Sequence, residues 1–157
     1  MLGKTYDTQV CSAARALEVV GERWSLLIIR DALFAGSTRF NDWLRLGIST
    51  NILANRLDAF VEAGLMVRRT TSRNSEHHDY LLTDKGRDLA PVIVTLTEWG
   101  DRWEAPAGPP ILYVHAGCGG PITQQSVCAH CGRVHDPADI QVRAGPGMPA
   151  DIAARMG

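Results

Sequence analysis

Three groups of side chains in this sequence have the types and spacing to do chemistry. The first lies near the C-terminal end: His115-x2-Cys118, nine residues, then Cys128-x2-Cys131. Two chelating pairs on a short hairpin have the spacing of a zinc ribbon, and Gly117, Gly119, Gly120 and Gly132 supply the turns such pairs need. His130 and His135 are alternative ligands to His115. The competing fates are reduced thiols packed on the main domain, or a Cys118–Cys128 or Cys118–Cys131 disulfide. The second group is Cys11, at the expected start of a helix with Arg15 one turn on. A helix dipole favours thiolate at that position, whereas a small buried filler is the alternative role for a free cysteine. The third group is polar and basic: Thr50, Asn51 and Asn55, then Arg68, Arg69 and Arg73. Asparagine can pair with adenine N6 and N7, and guanidinium groups bind phosphate or enter a minor groove.

The elements that must position these residues follow from periodicity. CSAARALEVV, Cys11 to Val20, has helical spacing of Ala13, Ala14, Ala16, Leu17 and Val20, with Gly21 to close it. ERWSLLIIRDALFAG is apolar over so much of its surface that it belongs deep in the domain. A short helix over about Thr38 to Leu44 is broken at Gly47. Ser49 then caps TNILANRLDAFVEAG, with Leu53, Leu57, Phe60 and Val61 inward, and with Thr50, Asn51, Ala54 and Asn55 outward. LMVRRTTSR, a polar turn over Asn74 to His77, and DYLLT make a two-stranded hairpin. Thr83 caps a long helix with the seam Leu89, Val92, Ile93, Leu96, Trp99 and Trp103, and Pro91 should bend it or shift its start.

The fold class expected is mainly α with a small β-hairpin wing, a winged helix-turn-helix, followed by a small Gly/Pro-rich β-type extension. The boundary is set at Pro106 to Pro110, giving residues 1–105 as the DNA-binding and dimerisation domain and 106–157 as the zinc-ribbon-like extension. In that extension strands are expected around Ile111 to Val114, Ile122 to Ser126 and Arg133 to Val142.

Sixteen Lys and Arg against seventeen Asp and Glu leave a net charge of -1, which excludes a highly basic coat protein but not a local basic patch. No apolar run approaches a membrane span or a signal peptide, so a cytoplasmic protein is expected. There is no phosphate loop, GxSxG or HExxH, so no enzyme is expected; Cys-x-x-Cys lies in a Gly-rich stretch without the βαβ setting of a dithiol redox site. A zinc-ribbon protein-interaction adaptor or a thiol redox protein is the alternative function.

The segment from Cys11 to about Trp103 resembles an HxlR-type winged helix-turn-helix regulator. The markers are Cys11, GERW, Arg39-Phe40, Gly47-Ile48-Ser49, Arg56-Leu57, Gly64-Leu65 and LTDKG at Leu82 to Gly86. The resemblance implies a bacterial, homodimeric transcription factor, related to MarR-like regulators, that binds palindromic double-stranded operator DNA. The helix from Thr50 is then the recognition helix, and dimers form through the first helix and the long closing helix. It also implies a sensing role for Cys11, since some members respond to oxidants or electrophiles there. With the markers included, the candidate DNA-binding set is Arg39, Ser49, Thr50, Asn51, Asn55, Arg56, Arg68, Arg69 and Arg73; the candidate zinc ligands are His115, Cys118, Cys128 and Cys131. A small-molecule effector could use apolar surface around Trp24, Trp43, Trp99 and Trp103.

Overall fold

The computed structural model describes residue 6 and residues 9–70, 78–132 and 136–155. Helix α1 is Ser12–Val20, with Cys11 as its N-cap. Gly21 closes it in a right-handed rather than a left-handed conformation, its N–H bonding Leu17 O at 2.7 Å. Helix α2 is Ser25–Phe34. Its expected first turn, Glu22 to Trp24, is a separate turn closed by Ser25 N to Glu22 O at 2.9 Å. Ile28 and Ile29 of α2 are fully buried, which agrees with the apolar surface of this helix.

The short helix is a 3-10 segment, Phe40–Leu46, two residues later than periodicity predicts. Asp42 sets its start: its carboxylate accepts from the N–H of Thr38 at 2.9 Å and of Arg39 at 2.8 Å. Those two donors hold the Asp42 carboxyl below the usual carboxylate range. Gly47 then turns the chain at φ 75, a left-handed conformation that suits glycine. Helix α3 is Thr50–Glu62, and Ser49 caps it by accepting from Ile52 N at 3.4 Å.

Strands β1, Met66–Thr70, and β2, His78–Leu82, pair antiparallel with Arg68 opposite Tyr80 and Arg69 opposite Asp79. The expected turn over Asn74 to His77 lies outside the described residues. Past β2, the expected long helix is two helices. Thr83 caps α4, Asp84–Arg87, and α5 is Ala90–Trp103. The break is the work of Pro91, which sits in the first turn of α5, where a missing N–H costs nothing.

The core lies between α2, the 3-10 segment, α3 and the hairpin. Trp43, Leu53, Leu57 and Phe60 are fully buried against Ile28 and Ile29, with Met66 and Tyr80 closing it from the strands. Trp43 satisfies its one donor by bonding Ile28 O at 3.0 Å. The LTDKG motif ties the hairpin to the end of α3. Thr83 Oγ1 donates to Gly64 O at 2.7 Å, and Lys85 Nζ donates to Ala63 O at 2.7 Å. A Cβ on Gly86 would stand 2.3 Å from Leu65 O, so only glycine permits this approach.

The chain divides into two compact units, Met1–Ile122 and Thr123–Gly157. The Pro-rich break at 106–110 therefore falls inside the first unit. The residues after it return to that unit through the Tyr113 ring, which lies 4.7 Å from the Phe34 ring. Among the described residues of the tail there is no strand. An isolated bridge, Val114 to Pro121, takes the place of the first expected pair, and a 3-10 turn, Pro137–Asp139, and a short helix α6, Ala150–Ala153, occupy the remainder. Arg133, Val134 and His135 lie outside the described residues. No described helix is long and apolar enough to cross a membrane.

Candidate nucleic-acid interface

The outward face of α3 follows from its inward one. Leu53, Leu57 and Phe60 recur at helical spacing and are fully buried, so the residues between them face solvent. Thr50, Asn51 and Asn55 are exposed, Ser49 is exposed beside them, and Arg56 is half-buried. The free N-terminal end of α3 thus carries short polar side chains, and its Ile48 anchor is buried below. An α-helix is narrow enough for the major groove of B-DNA, and short polar side chains at its start can reach base edges.

The wing runs on from the same helix. Arg68 and Arg69 are exposed on β1; Arg73 lies outside the described residues. Arg68 reaches back to α3, with Nη1 at 3.4 Å from Asp58 Oδ1. Arg39, whose side chain is exposed, faces Asp79 of β2 at 3.6 Å. Sequence reasoning did not find Asp58 and Asp79. Both partners are distant in sequence; the packing of β1 on α3 brings Asp58 to Arg68, and the bridge between Arg39 and Asp79 brings the other pair together. Each ion pair is solvent-exposed on at least one side, so its contribution to stability is small, and its effect is to hold an arginine in place.

A buried carboxylate also went unseen in the sequence. Asp31 of α2 accepts from Arg30 Nη2 at 2.7 Å and from Arg45 Nη2 at 3.2 Å, and Arg45 also reaches Ser37 Oγ at 2.9 Å. This network ties α2 to the 3-10 segment that delivers α3. It borders a cleft of about 360 Å³ lined by Phe34, Arg45, Ile111 and Tyr113. Of the tryptophans, Trp43 is in the core, while Trp99 and Trp103 are 57% and 65% exposed.

Those two residues continue a stripe. Val92, Leu96, Trp99 and Trp103 follow one another at i, i+4, i+7 and i+11 on α5, and all are exposed, as is Leu17 of α1. Cys11 is exposed, and the backbone N–H groups of Ala14 and Ala13, at the start of α1, hold its thiol below the usual range. In the tail, His115 Nδ1 lies 3.3 Å from Cys118 Sγ. The Cys128 sulfur accepts from the N–H groups of Cys131 and His130, which lower its thiol in the same way. Among the described residues, no three His, Cys, Asp or Glu side chains are grouped as a metal site.

A polar-faced helix after a tight turn, a basic hairpin and a closing helix together make a winged helix-turn-helix. The chain belongs to the HxlR-like helix-turn-helix family, whose model matches residues 19–107. It is 44% identical over 145 residues to the HTH-type transcriptional regulator Rv3095 of Mycobacterium tuberculosis, covering 91% of each chain. Among solved structures it is similar to PA1607, a candidate transcription factor, with TM-score 0.78, 38% identity, and coverage of 88% of this chain and 98% of that one. It is also similar to the redox regulator HypR in its reduced form, with TM-score 0.53, 26% identity, and coverage of 59% and 92%. The chain is therefore a transcriptional regulator with a helix-turn-helix DNA-binding fold, and its relatives are regulators rather than enzymes.

Proposed function

We propose that this protein binds a palindromic operator as a homodimer. In each protomer α3 enters the major groove and the β1–β2 wing lies along the neighbouring backbone. The observation that carries the reading is the division of α3: three fully buried anchors on one side, and exposed Thr50, Asn51 and Asn55 at its N-terminal end on the other. Asn51 and Asn55 read base edges; Ser49 and Thr50 contact phosphate with the helix N-terminus; Arg56, Arg39, Arg68, Arg69 and Arg73 supply positive charge to the backbone.

The exposed stripe Val92, Leu96, Trp99 and Trp103, with Leu17, supports dimerisation. An apolar row of that length is costly to leave in water and is self-complementary across a two-fold axis. A two-fold dimer then sets half-sites about 34 Å apart.

Cys11 supports a thiol-sensing role. It is exposed, the backbone N–H groups of Ala14 and Ala13 lower its thiol pKa, and it stands at the N-cap position of α1, one of the two helices assigned to the dimer face. Oxidation there adds polar bulk beside the dimer seam, and the existence of a redox regulator among the structural neighbours is in keeping with it.

Selection of bound DNA from a random pool tests the reading. It predicts enrichment of an inverted repeat with centres about one helical turn apart. Recovery of unrelated sequences with no shared motif would refute it.

A further inference from the structure

The first turn of α3 carries a side chain that neither the core nor the helix end accounts for. Of the large apolar residues of α3, Leu53, Leu57 and Phe60 are fully buried, and Val61 is half-buried against the core. Ile52 is 44% exposed. It stands three residues after Ser49, and its N–H is the one that the Ser49 hydroxyl accepts, at 3.4 Å. At that position a glutamate or glutamine would complete a capping box with the serine, and an acidic side chain would suit the helix dipole. The first turn of α3 has no acidic residue. A β-branched apolar side chain there forgoes both gains, and isoleucine also has the lower helix propensity. Departures from local preference of this kind gather at sites that bind something.

The place of Ile52 on the helix says what it meets. Residues three and four apart share a side of a helix, so Ile52 lies beside Asn55 and Arg56, and it follows Asn51 directly. It therefore belongs to the face assigned above to the major groove. Base edges there offer hydrogen-bond donors and acceptors and one apolar group, the C5-methyl of thymine. Every A·T pair whose adenine is read by an asparagine sets that methyl into the same groove. A glutamate at this position would bring negative charge to the phosphates, whereas isoleucine brings none.

We propose that Ile52 reads thymine by packing against its C5-methyl group. Asn51 and Asn55 then report adenine by hydrogen bonds, and Ile52 reports thymine by excluding water from the methyl. The assignment rests on α3 being the helix that enters the major groove. The contact involves no charge, so it does not share the salt dependence of the wing arginines.

The test replaces thymine by 2′-deoxyuridine, one position at a time on either strand, in an operator selected with the full-length protein. The replacement removes the methyl and keeps the hydrogen-bonding groups of the base. The wild-type protein is expected to lose about fourfold in affinity at one position of a half-site, and about 15-fold when both half-sites are changed. Ile52→Ala, a change at an exposed helical position, binds the thymine and uracil operators alike, and Ile52→Val keeps part of the difference. A wild-type protein indifferent to uracil at every position overturns the role of Ile52, as does a uracil penalty undiminished in Ile52→Ala; either result leaves α3 as the reading helix. A selection that recovers no shared motif overturns both.

Discussion

Removing the largest exposed side chain of the α5 stripe should break the proposed dimer. Trp103 is 65% exposed in a single protomer. A tryptophan buries up to about 250 Å² when covered, so pairing removes about 150 Å² of it from water per copy. At about 25 cal/mol per Å² that is a ceiling of ~4 kcal/mol per protomer. Imperfect coverage and the residual alanine reduce this, leaving about 2 kcal/mol per copy. A two-fold interface counts it twice, so Trp103→Ala costs ~4 kcal/mol per dimer. At about 1.4 kcal/mol per decade, the dissociation constant rises by a factor on the order of 1,000. Sedimentation equilibrium across a concentration series measures it directly. Val67→Ala, which truncates a half-exposed residue on the wing, is the control and should leave the dimer intact. A dissociation constant unchanged in Trp103→Ala, with circular dichroism unchanged too, would refute the assignment of this stripe to the dimer.

Three further outcomes are expected. Cys11→Ser removes any effect of diamide or peroxide on DNA binding, and iodoacetamide labels Cys11 of the wild type faster than an ordinary thiol at pH 7, because backbone N–H groups stabilise the thiolate; equal labelling rates contradict this. Asp42→Ala costs about 1 kcal/mol of stability by denaturant titration, since it removes the acceptor for two N–H groups. The folded-state pKa of Asp42 is depressed, so its contribution is present above the unfolded value, near ~3.9, and is lost as the pH falls through the folded value; the variant's acid unfolding should be correspondingly shallower. Arg69→Ala weakens binding to all sequences alike and lowers the slope of log affinity against log salt by ~1 per protomer, whereas an unchanged slope places Arg69 off the phosphate backbone.

Much of the fold was legible because periodicity and end signals agree. Ser49 and Gly64 bracket α3 within a residue or two, and a β-branched, basic run placed β1 while the alternation of Tyr80 and Leu82 placed β2. Pro91 announced a disturbance; that it splits the helix depends on Thr83 and Gly86 building a separate turn against Leu65. The 3-10 geometry at Phe40–Leu46 was not legible, because the spacing of Phe40, Trp43 and Leu44 suits either helix type. Strands were expected in the tail to support the turns of its two Cys/His pairs, but among the described residues Val114, Val127, Ile140 and Val142 stay exposed and no strand forms. For the candidate interface, the face of α3 was readable from one helix alone. The pairs Arg68–Asp58 and Arg39–Asp79 and the buried Asp31 network were not, since each joins elements that meet only in the folded chain.

In the proposed complex α3 reads bases through Asn51 and Asn55. The most direct measurement compares Asn51→Ala and the wild type on a selected operator and on random-sequence duplex at one salt concentration. A loss of about 1–3 kcal/mol on the operator, roughly 5- to 150-fold, is expected, with affinity for the random duplex unchanged. Equal losses on both duplexes, or none on either, would contradict it.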